Sequence, residues 1–382
     1  MKKIALITDG IWPYVIGGMQ KHSYYLCKYF AKNKIHVDLF HFNESELDID
    51  ALAIFTEEEK KYIHSTVLEF PDVASGFGHY IINSYRYSLN VYELIKDKLN
   101  DYDFIYTKGF TGWHIMREKK KGVSCPPIGV KFHGYEMFQK APDLKAKIVQ
   151  LLLLRKPVKE ISNLADVVFS YGGKITDIIK TLGVPSDKII ELPSGVERAI
   201  VADRISPTAQ KIKFVYLGRY ERRKGVEELN KALRSFSKAT FEFHFIGPIP
   251  NEKKLQLDYV KYHGEIRDKQ ELNKLLRQCD ILVCPSWSEG MPNVILEAMA
   301  NGLTVLATNV GATNVLVNEQ TGWLIENSAV GEIKRAIGKI ISTPGSGIDS
   351  KKKAALDLIR EKFTWEKLIQ DLIIQLEKRI KK

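Results

Sequence analysis

Residues 286–298 have the sequence SWSEGMPNVILEA. They follow an apolar run at 280–285 that is typical of a buried strand, and they continue into a helix pattern. Gly290 and Pro292 mark the turn, which places Glu289 at a strand-to-helix corner and Glu297 inside the helix. The first turn of such a helix offers free backbone N–H groups and the positive end of the helix dipole, so the corner suits a phosphate. Two flanking glutamates can bind hydroxyl groups, and this combination suits a sugar nucleotide.

The composition indicates two globular domains with a basic surface. The chain has 382 residues, more than one ordinary core holds, with 45% hydrophobic and 27% charged residues. Its formal net charge of +11 suits nucleic acid, an anionic membrane surface or a phosphorylated ligand. No helix-turn-helix, zinc-finger or RNA-binding signature accompanies the charge, so we expect no nucleic-acid partner.

The sequence also predicts a cytoplasmic location. The apolar run after the first lysines ends at Asp9, too early for a signal peptide, and is better explained as a first β-strand. No apolar run approaches the roughly 20 residues that span a bilayer. The four cysteines are scattered without metal-ligand spacing, which favours reduced thiols in the cytosol.

The N-terminal part has the order of a nucleotide-binding domain: a strand at 3–8, a glycine loop, a helix at about 19–32 and a strand at 35–42. In the loop, Gly17 and Gly18 let the backbone approach a ligand closely, although an ordinary tight turn explains them equally well. His133 follows a strand at 128–132, and side chains just past a strand's carboxyl end face the ligand crevice. The alternative for His133 is a capping or hydrogen-bonded loop histidine.

The pattern of strands and helices predicts an α/β protein with two domains. Residues 197–210 lack apolar periodicity and contain Pro207, which indicates a linker. Strands and helices alternate on both sides of it, so we expect two doubly wound, Rossmann-like domains at 1–196 and 211–362.

Residues 140–160 combine lysines and arginines with leucines at helical spacing. This pattern predicts a basic amphipathic helix that is able to lie on anionic lipid. The alternative is an ordinary helix with a solvated face over a core face. A peripheral contact with the inner face of a membrane is therefore one expectation for this segment.

Residues 218–225, GRYERRKG, follow the first strand of the second domain and precede a helix. Arg219 can bind a diphosphate as a fork and Lys224 as a point charge. A charge run at a strand exit is usually only solvated. The Glu289 corner, however, lies at the equivalent carboxyl edge of the same predicted sheet. A cationic clamp and a helix N-terminus on one edge predict a diphosphate site.

Residues 218–225 and 288–298 together resemble the signature of GT-B-fold retaining glycosyltransferases of family 4. The resemblance extends to the Gly17-Gly18 loop, His133, residues 194–197, Gly311 and residues 321–324, and it is thinnest between 43 and 125. It implies two Rossmann-like domains that face a central cleft. The first would bind the acceptor and the second the nucleotide sugar, and the final helix at about 363–382 would pack back on the first domain.

The resemblance implies a role for each matched residue. Arg219 and Lys224 would neutralise the donor diphosphate as its charge grows during sugar departure. Glu289 would bind hydroxyls of the donor sugar and Glu297 those of the ribose, while His133 would contact the sugar near the reacting carbon. The donor site would be completed, largely by backbone groups, at Gly17, Gly18, Ile266, Gly290, Met291, Pro292 and Asn293.

The activity that the resemblance implies is retaining transfer of a hexose-type sugar from a nucleoside-diphosphate sugar, UDP above all, to a hydroxyl of a glycan or lipid-linked glycan. Synthesis of bacterial cell-surface polysaccharide or glycolipid is the implied context. We expect no metal and no cofactor, with the nucleotide sugar as co-substrate. Ser194, Glu197 and Met291 depart from the residues common in the family, which leaves the donor sugar open.

Three other classes make different demands on the sequence. A metal-dependent GT-A transferase needs an Asp-x-Asp at a strand end, and the spacing occurs at Asp48–Asp50 and Asp101–Asp103, both in unsuitable positions. An NAD-dependent oxidoreductase needs G-x-G-x-x-G after the first strand, and that loop lacks the third glycine. A basic RNA- or lipid-binding scaffold would make both phosphate-binding patterns coincidental.

Overall fold

A computed structural model describes residues 1–15, 17–42, 54–74, 76, 78–141, 143–236 and 239–380, without the side chains of residues 144–146. Two parallel β-sheets, one of seven strands and one of six, organise these residues. Helices flank both sheets, which confirms the predicted pair of Rossmann-like α/β domains.

The first sheet and its helices occupy the N-terminal half of the chain. The elements are β1 (Lys3–Ile7), α1 (Gly18–Lys32), β2 (His36–His41), α2 (Glu57–Lys60), β3 (Ile63–Val67), α3 (His79–Ile95), β4 (Phe104–Lys108), α4 (Trp113–Lys120), β5 (Ile128–Lys131), α5 (Leu144–Val149), α6 (Arg155–Leu164), β6 (Val167–Ser170), α7 (Lys174–Thr181) and β7 (Ile189–Glu191). The strand order is β3-β2-β1-β4-β5-β6-β7. It reverses between β1 and β4, and in open parallel sheets ligands bind at such a switch point.

The second sheet belongs to the C-terminal half. Its elements are β8 (Lys213–Leu217), α8 (Val226–Leu233), β9 (Glu242–Ile246), β10 (Val260–Tyr262), α9 (Lys269–Leu276), β11 (Ile281–Cys284), α10 (Asn293–Ala300), β12 (Thr304–Thr308), α11 (Thr313–Leu316), β13 (Gly322–Ile325), α12 (Val330–Ile341), α13 (Gly345–Lys362) and α14 (Trp365–Ile380). The order β10-β9-β8-β11-β12-β13 places the switch point between β8 and β11. Both sequence motifs of the second domain follow these two strands.

The final helix, α14, packs on α1 of the first domain. Trp365 stacks on Tyr25 with ring centroids 4.9 Å apart, and the Tyr29 hydroxyl donates to the Glu366 carboxylate at 3.0 Å. The chain also pairs Val196 with residues 363–365 through backbone hydrogen bonds of 2.9 and 3.1 Å. The chain thus returns to the first domain at its end.

The structure differs from the sequence pattern in three places. Strand β3 falls in the stretch where no strand was predicted, because its residues are only partly buried and alternate weakly. The sequence at residues 257–260 predicts a strand there, but the strand that forms, β10, begins three residues later, at Val260. The predicted helix at 140–160 is instead α5 and α6 joined by a π-helical turn at Gln150–Leu154.

Candidate active site

The carboxyl ends of β8 and β11 bring the two sequence motifs of the second domain together. The strands pair in parallel, so the loops that follow them start side by side. The Lys224 Nζ atom donates to the Glu289 carboxylate at 2.6 Å, across 65 residues of sequence. The Ser286 hydroxyl donates to the same carboxylate oxygen at 2.8 Å. Two donors therefore fix the orientation of a carboxylate that is itself buried.

Arg223 is a second cation at this edge, and sequence reasoning did not select it. Its Nη1 atom lies 3.7 Å from the Glu289 carboxylate, and its Nε atom lies 3.1 Å from the Glu221 carboxylate. The backbone also contributes, because the Arg223 carbonyl accepts from the Trp287 N–H at 2.8 Å. Arg223 lies in the same GRYERRKG run, where Arg222, Arg223 and Lys224 are adjacent. The sequence alone does not indicate which of these three cations lies nearest to Glu289.

Arg219 lies differently from Lys224. Its side chain is 72% exposed, and its guanidinium pairs with the Glu221 carboxylate at 2.8 Å. Its backbone carbonyl accepts from the Tyr216 hydroxyl at 2.8 Å, which fixes the loop after β8. The structure thus brings Lys224 to Glu289 and leaves the Arg219 guanidinium at the rim of the cleft.

The turn that leads into α10 faces the first domain at very short range. A Cβ atom added at Gly290 would lie 1.8 Å from the carbonyl oxygen of His133, so only glycine fits there. Across the same contact, the Gln139 amide donates to the Glu289 carbonyl at 2.6 Å and to the Gly134 carbonyl at 2.7 Å. Gln139, which sequence reasoning missed, therefore ties the Glu289 corner to the loop after β5.

The N-terminus of α1 lies opposite the N-terminus of α10. A Cβ atom at Gly18 would meet the His133 ring at 2.5 Å and the Asn293 amide at 3.5 Å, so this glycine permits a close approach. The Lys21 Nζ atom donates to the Glu297 carboxylate at 2.6 Å. Gly17 is the residue before the helix and has an extended backbone. Two helix N-termini with their free N–H groups thus converge on the cleft.

His133 lies between the two domains. Its Nδ1 atom is 2.7 Å from the Tyr171 hydroxyl. Burial lowers the pKa of His133 to about 3, and the charges of Lys108 and Lys131 act in the same direction. The imidazole is therefore neutral at physiological pH, able to donate or accept a hydrogen bond without adding charge.

Two buried lysines sit behind His133 at the ends of β4 and β5. The Lys108 Nζ atom is 2.8 Å from His22 Nδ1, and Lys131 donates to the Leu192 carbonyl. Burial lowers the pKa of Lys108 to about 7 and that of Lys131 well below its usual value. In the part of the chain that the structure describes, neither lysine forms an ion pair. The rule that singled out His133, position at a strand's carboxyl end, applies to Lys108 as well.

The remaining residues that were predicted to bind the sugar nucleotide occupy less polar positions. Met291 is buried, and its sulfur accepts from the Ser194 N–H at 3.2 Å. Pro292 is buried just before α10. Ile266 is partly exposed in the loop after β10, where Gly264 accepts from the Gly247 N–H at 2.7 Å.

The positions that the competing classes require lie elsewhere. Asp103 sits at the amino end of β4, where its carboxylate accepts from the Lys3 N–H at 2.9 Å, far from the carboxyl edge. Asp48–Asp50 lie outside the described residues. Within the described ranges, no group of three or more His, Cys, Asp and Glu side chains is arranged to bind a metal ion.

Two Rossmann-like domains whose sheet edges meet at one cleft define a GT-B glycosyltransferase fold. The sequence profile of the Glycosyltransferase Family 4 domain matches residues 16–199, and that of the Glycosyl transferases group 1 matches residues 211–343. Together they cover most of the chain. The chain therefore belongs to the group 1, family 4 glycosyltransferases.

Relatives of known name agree with this assignment. An uncharacterized glycosyltransferase of Methanocaldococcus jannaschii, MJ1178, is 24% identical over 375 residues, 95% of each chain. TuaC of Bacillus subtilis, a glycosyltransferase that its name connects with teichuronic acid biosynthesis, is 28% identical over 192 residues. That match covers 48% of this chain and 48% of TuaC, so it spans about half the length of that relative.

Solved structures show the same fold. A sucrose-phosphate synthase from Thermosynechococcus elongatus superposes with a TM-score of 0.77 at 19% identity, covering 99% of this chain and 100% of that one. HepE from Anabaena superposes with a TM-score of 0.65 at 17% identity, covering 98% and 99%. At these identities the likeness establishes the fold.

Proposed function

We propose that this protein transfers a hexose-type sugar from a UDP-sugar to a hydroxyl group of a glycan, with release of UDP and retention of anomeric configuration. One observation carries the proposal: the Lys224–Glu289 pair lies beside the first turn of α10, and His133 faces it across the cleft. A cation, free helix N–H groups and an orienting carboxylate at one point match the parts of a diphosphate-linked sugar.

In this proposal the cations act on the leaving group. Negative charge grows on the diphosphate as the bond to the sugar breaks, and Lys224 stabilises that charge together with Arg223 and Arg219 at the rim. These cations supply the charge that a metal ion supplies in other transferases. The proposed reaction therefore needs no metal and no cofactor beyond the nucleotide sugar.

In this proposal the two glutamates bind hydroxyl groups of the sugar nucleotide. Glu289 orients the sugar, because Lys224 and Ser286 already fix its carboxylate and leave lone pairs for hydroxyl donors. Glu297 binds the ribose from its position on α10, within reach of Lys21. Ile266 lies against the base, and Gly17, Gly18 and the backbone of Gly290 to Asn293 enclose the diphosphate and sugar.

Two features of the site support the proposed retention. The Glu289 carboxylate is held by two donors, which suits orientation of the sugar better than attack on it. Neutral His133 lies near the sugar without adding charge. The acceptor hydroxyl then attacks from the face that the leaving diphosphate vacates and passes its proton to that diphosphate. The new bond keeps the configuration of the old one.

The named relatives support the donor and the context. HepE, which shares the fold, has been solved with UDP and glucose and also with UDP-glucose, which supports a UDP-sugar as the proposed donor. A colanic acid glycosyltransferase by name, WcaL of Escherichia coli, is 25% identical over 244 residues, and TuaC is named for teichuronic acid. Both relatives are bacterial and are named for the biosynthesis of teichuronic or colanic acid. These names support our proposal that this protein acts at the cytoplasmic face in the synthesis of a bacterial cell-surface polysaccharide.

One assay tests retention and metal independence together. We expect an α-linked UDP-hexose to be turned over in excess EDTA at an unchanged rate, with the α-anomer of the released or transferred sugar forming first in NMR spectra. Lys231→Ala, on the exposed face of α8, serves as an unaltered reference. Initial formation of the β-anomer would refute retention, and loss of turnover in EDTA that Mg²⁺ or Mn²⁺ restores would refute the metal-free reaction.

An exposed apolar surface on the first domain supports a peripheral membrane contact. We define it as Ile82, Ile148, Leu151 and Leu152; the last two are 52% and 64% exposed. A Cβ atom added at Gly78, the residue before α3, would lie 3.5 Å from the Leu153 side chain, so the start of α3 adjoins the π-helical turn. Exposed Lys147, Lys156 and Lys159 flank the surface. Exposed apolar groups with exposed lysines close to them in the sequence suit an anionic bilayer and hence a lipid-linked acceptor. Among the described helices, none has the length and apolar character of a transmembrane span.

Vesicle co-sedimentation tests this contact. We expect binding to vesicles that contain phosphatidylglycerol and little binding to phosphatidylcholine alone, because each lysine near an anionic surface contributes about 1 kcal/mol. The double variant Leu151→Ser/Leu152→Ser should lose the binding and keep its melting temperature. Ile374→Ser, an equally exposed site on α14, is the control. Equal binding to both lipids would contradict the proposed contact.

A further inference from the structure

A cavity of about 290 Å³ lies in the first domain and opens beside His133. Its size is at the small end of small-molecule sites, roughly 300–1,000 Å³, and suits one sugar ring. Aromatic side chains supply much of its wall: Phe42, Phe70, Tyr80, Tyr87, Phe110 and Phe132. Because His133 and Gly134 also line it, the cavity adjoins the Glu289 corner through the Gly134–Gly290 contact.

The charged groups of the cavity are two carboxylates and one lysine: Asp9, Glu136 and Lys108. Asp9 follows β1, and its Oδ1 atom accepts from the Gln20 amide at 3.2 Å and from the Thr8 hydroxyl at 3.5 Å, while no donor to its Oδ2 atom is found among the described residues. In the described part of the chain no lysine or arginine forms an ion pair with Asp9. A partly buried carboxylate with so few donors retains acceptor capacity for hydroxyl groups.

We infer that this cavity binds the terminal sugar of the acceptor as an uncharged ring, with Asp9 accepting hydrogen bonds from its hydroxyl groups and the aromatic wall stacking on its faces. This inference rests on the proposed transfer, and it adds the acceptor class and its binding residue. Arg223 and Lys224 act on Glu136 from the second domain, whereas Asp9 faces only Lys108, so an anionic sugar is disfavoured at the Asp9 end of the cavity. An aliphatic chain would leave the carboxylates without hydroxyl donors.

The surroundings of Asp9 support a pH dependence of acceptor binding. Burial raises the pKa of Asp9 to about 6, and Lys108 at the end of β4 lowers it in part. Tyr80 and Tyr87 of α3 and Gln20 of α1 also face it. The ionised form accepts hydroxyl hydrogen bonds, so acceptor binding should approach its maximum about one pH unit above that pKa and weaken as the pH falls through 6.

Saturation-transfer NMR tests the inference on the full chain in the presence of UDP. The probes are methyl glycosides of glucose, galactose, mannose and N-acetylglucosamine, against glucose 6-phosphate and methyl glucuronide. We expect at least one neutral glycoside to bind and both anionic sugars to fail. Asp9→Asn should weaken that binding at least about tenfold and remove its decline below pH 6, because hydrogen bonds to charged groups are strong.

Two further variants make the outcome decisive. Asp258→Asn, an exposed carboxylate in the second domain, should leave glycoside binding unchanged. Tyr80→Ala, at a half-exposed wall position, should weaken it without lowering the melting temperature. Unchanged binding in Asp9→Asn, preferred binding of the anionic sugars, or no glycoside binding at all would overturn the inference. If UDP still stabilises the protein in those cases, the proposed transferase function survives.

Discussion

Replacement of Lys224 by alanine is expected to lower kcat/KM for the sugar nucleotide by about 100-fold or more. Loss of a single group that stabilises developing negative charge commonly costs 10²–10³ in rate, roughly 2.7–4 kcal/mol. The variant also leaves the buried Glu289 carboxylate with Ser286 and the more distant Arg223. Unfolding free energy should therefore fall by about 3 kcal/mol, since removing one partner of a buried pair is costly. Release of UDP measures the first effect and chemical denaturation the second.

Lys231→Ala is the matched control, because that lysine is exposed on the adjoining helix α8. It should retain turnover and stability within experimental error. Near-normal turnover in Lys224→Ala would mean that the cation serves only to neutralise Glu289. The diphosphate would then have to be bound by other groups.

Replacement of Gly290 by alanine is expected to abolish most turnover and to lower the affinity for UDP much less. The added Cβ would lie 1.8 Å from the His133 carbonyl, a backbone atom that cannot rotate away. The domains would have to separate on the order of 1 Å, and a misplacement of that size can cost about 100-fold in rate. In the proposed site the second domain supplies most of the groups that bind UDP, so kcat should fall more than UDP affinity. Steady-state kinetics and calorimetric UDP titration separate the two.

Gly338→Ala tests whether such a loss is specific. That glycine lies inside α12 with no neighbour within 4 Å of an added Cβ. Alanine there should preserve activity and raise stability by about 0.5–1 kcal/mol, because glycine is unfavourable inside a helix. Equal kcat values for Gly290→Ala and wild type would contradict the close domain contact described for the cleft.

The corner at Glu289 was predictable because its signals are local. An apolar strand, a turn with Gly290 and Pro292, and a helix pattern follow one another within a few residues. The pairing of β8 with β11 then brings Lys224 to this corner, as expected when parallel strands share one carboxyl edge. The fold class followed from the same alternation of strands and helices.

Contacts between the domains were not predictable, because they depend on how two separately formed surfaces meet. Gln139 and Lys21 have no motif, yet they bind the Glu289 corner and Glu297 from the opposite domain. Asp9 was noted only as the residue that ends the first strand. Its place in the cavity comes from α3 and β4, which are distant in sequence.

The segment at 140–160 shows a further limit. Its apolar and basic pattern predicted one helix, and a π-helical turn divides that segment instead. Leu151 and Leu152 lie on this turn and are exposed. The spacing of apolar residues in the sequence therefore did not predict which leucines of this segment face solvent.

The most direct measurement of the central claim, a nucleotide-sugar site at the Glu289 corner, is a thermal-shift comparison of wild type and Lys224→Ala with UDP, GDP, ADP and NAD. A ligand at a hundred times its dissociation constant adds about 2.7 kcal/mol of stability, which a melt resolves readily. We predict that UDP stabilises the wild type and stabilises Lys224→Ala far less. No stabilisation by any nucleoside diphosphate, or stabilisation by NAD alone, would contradict the claim.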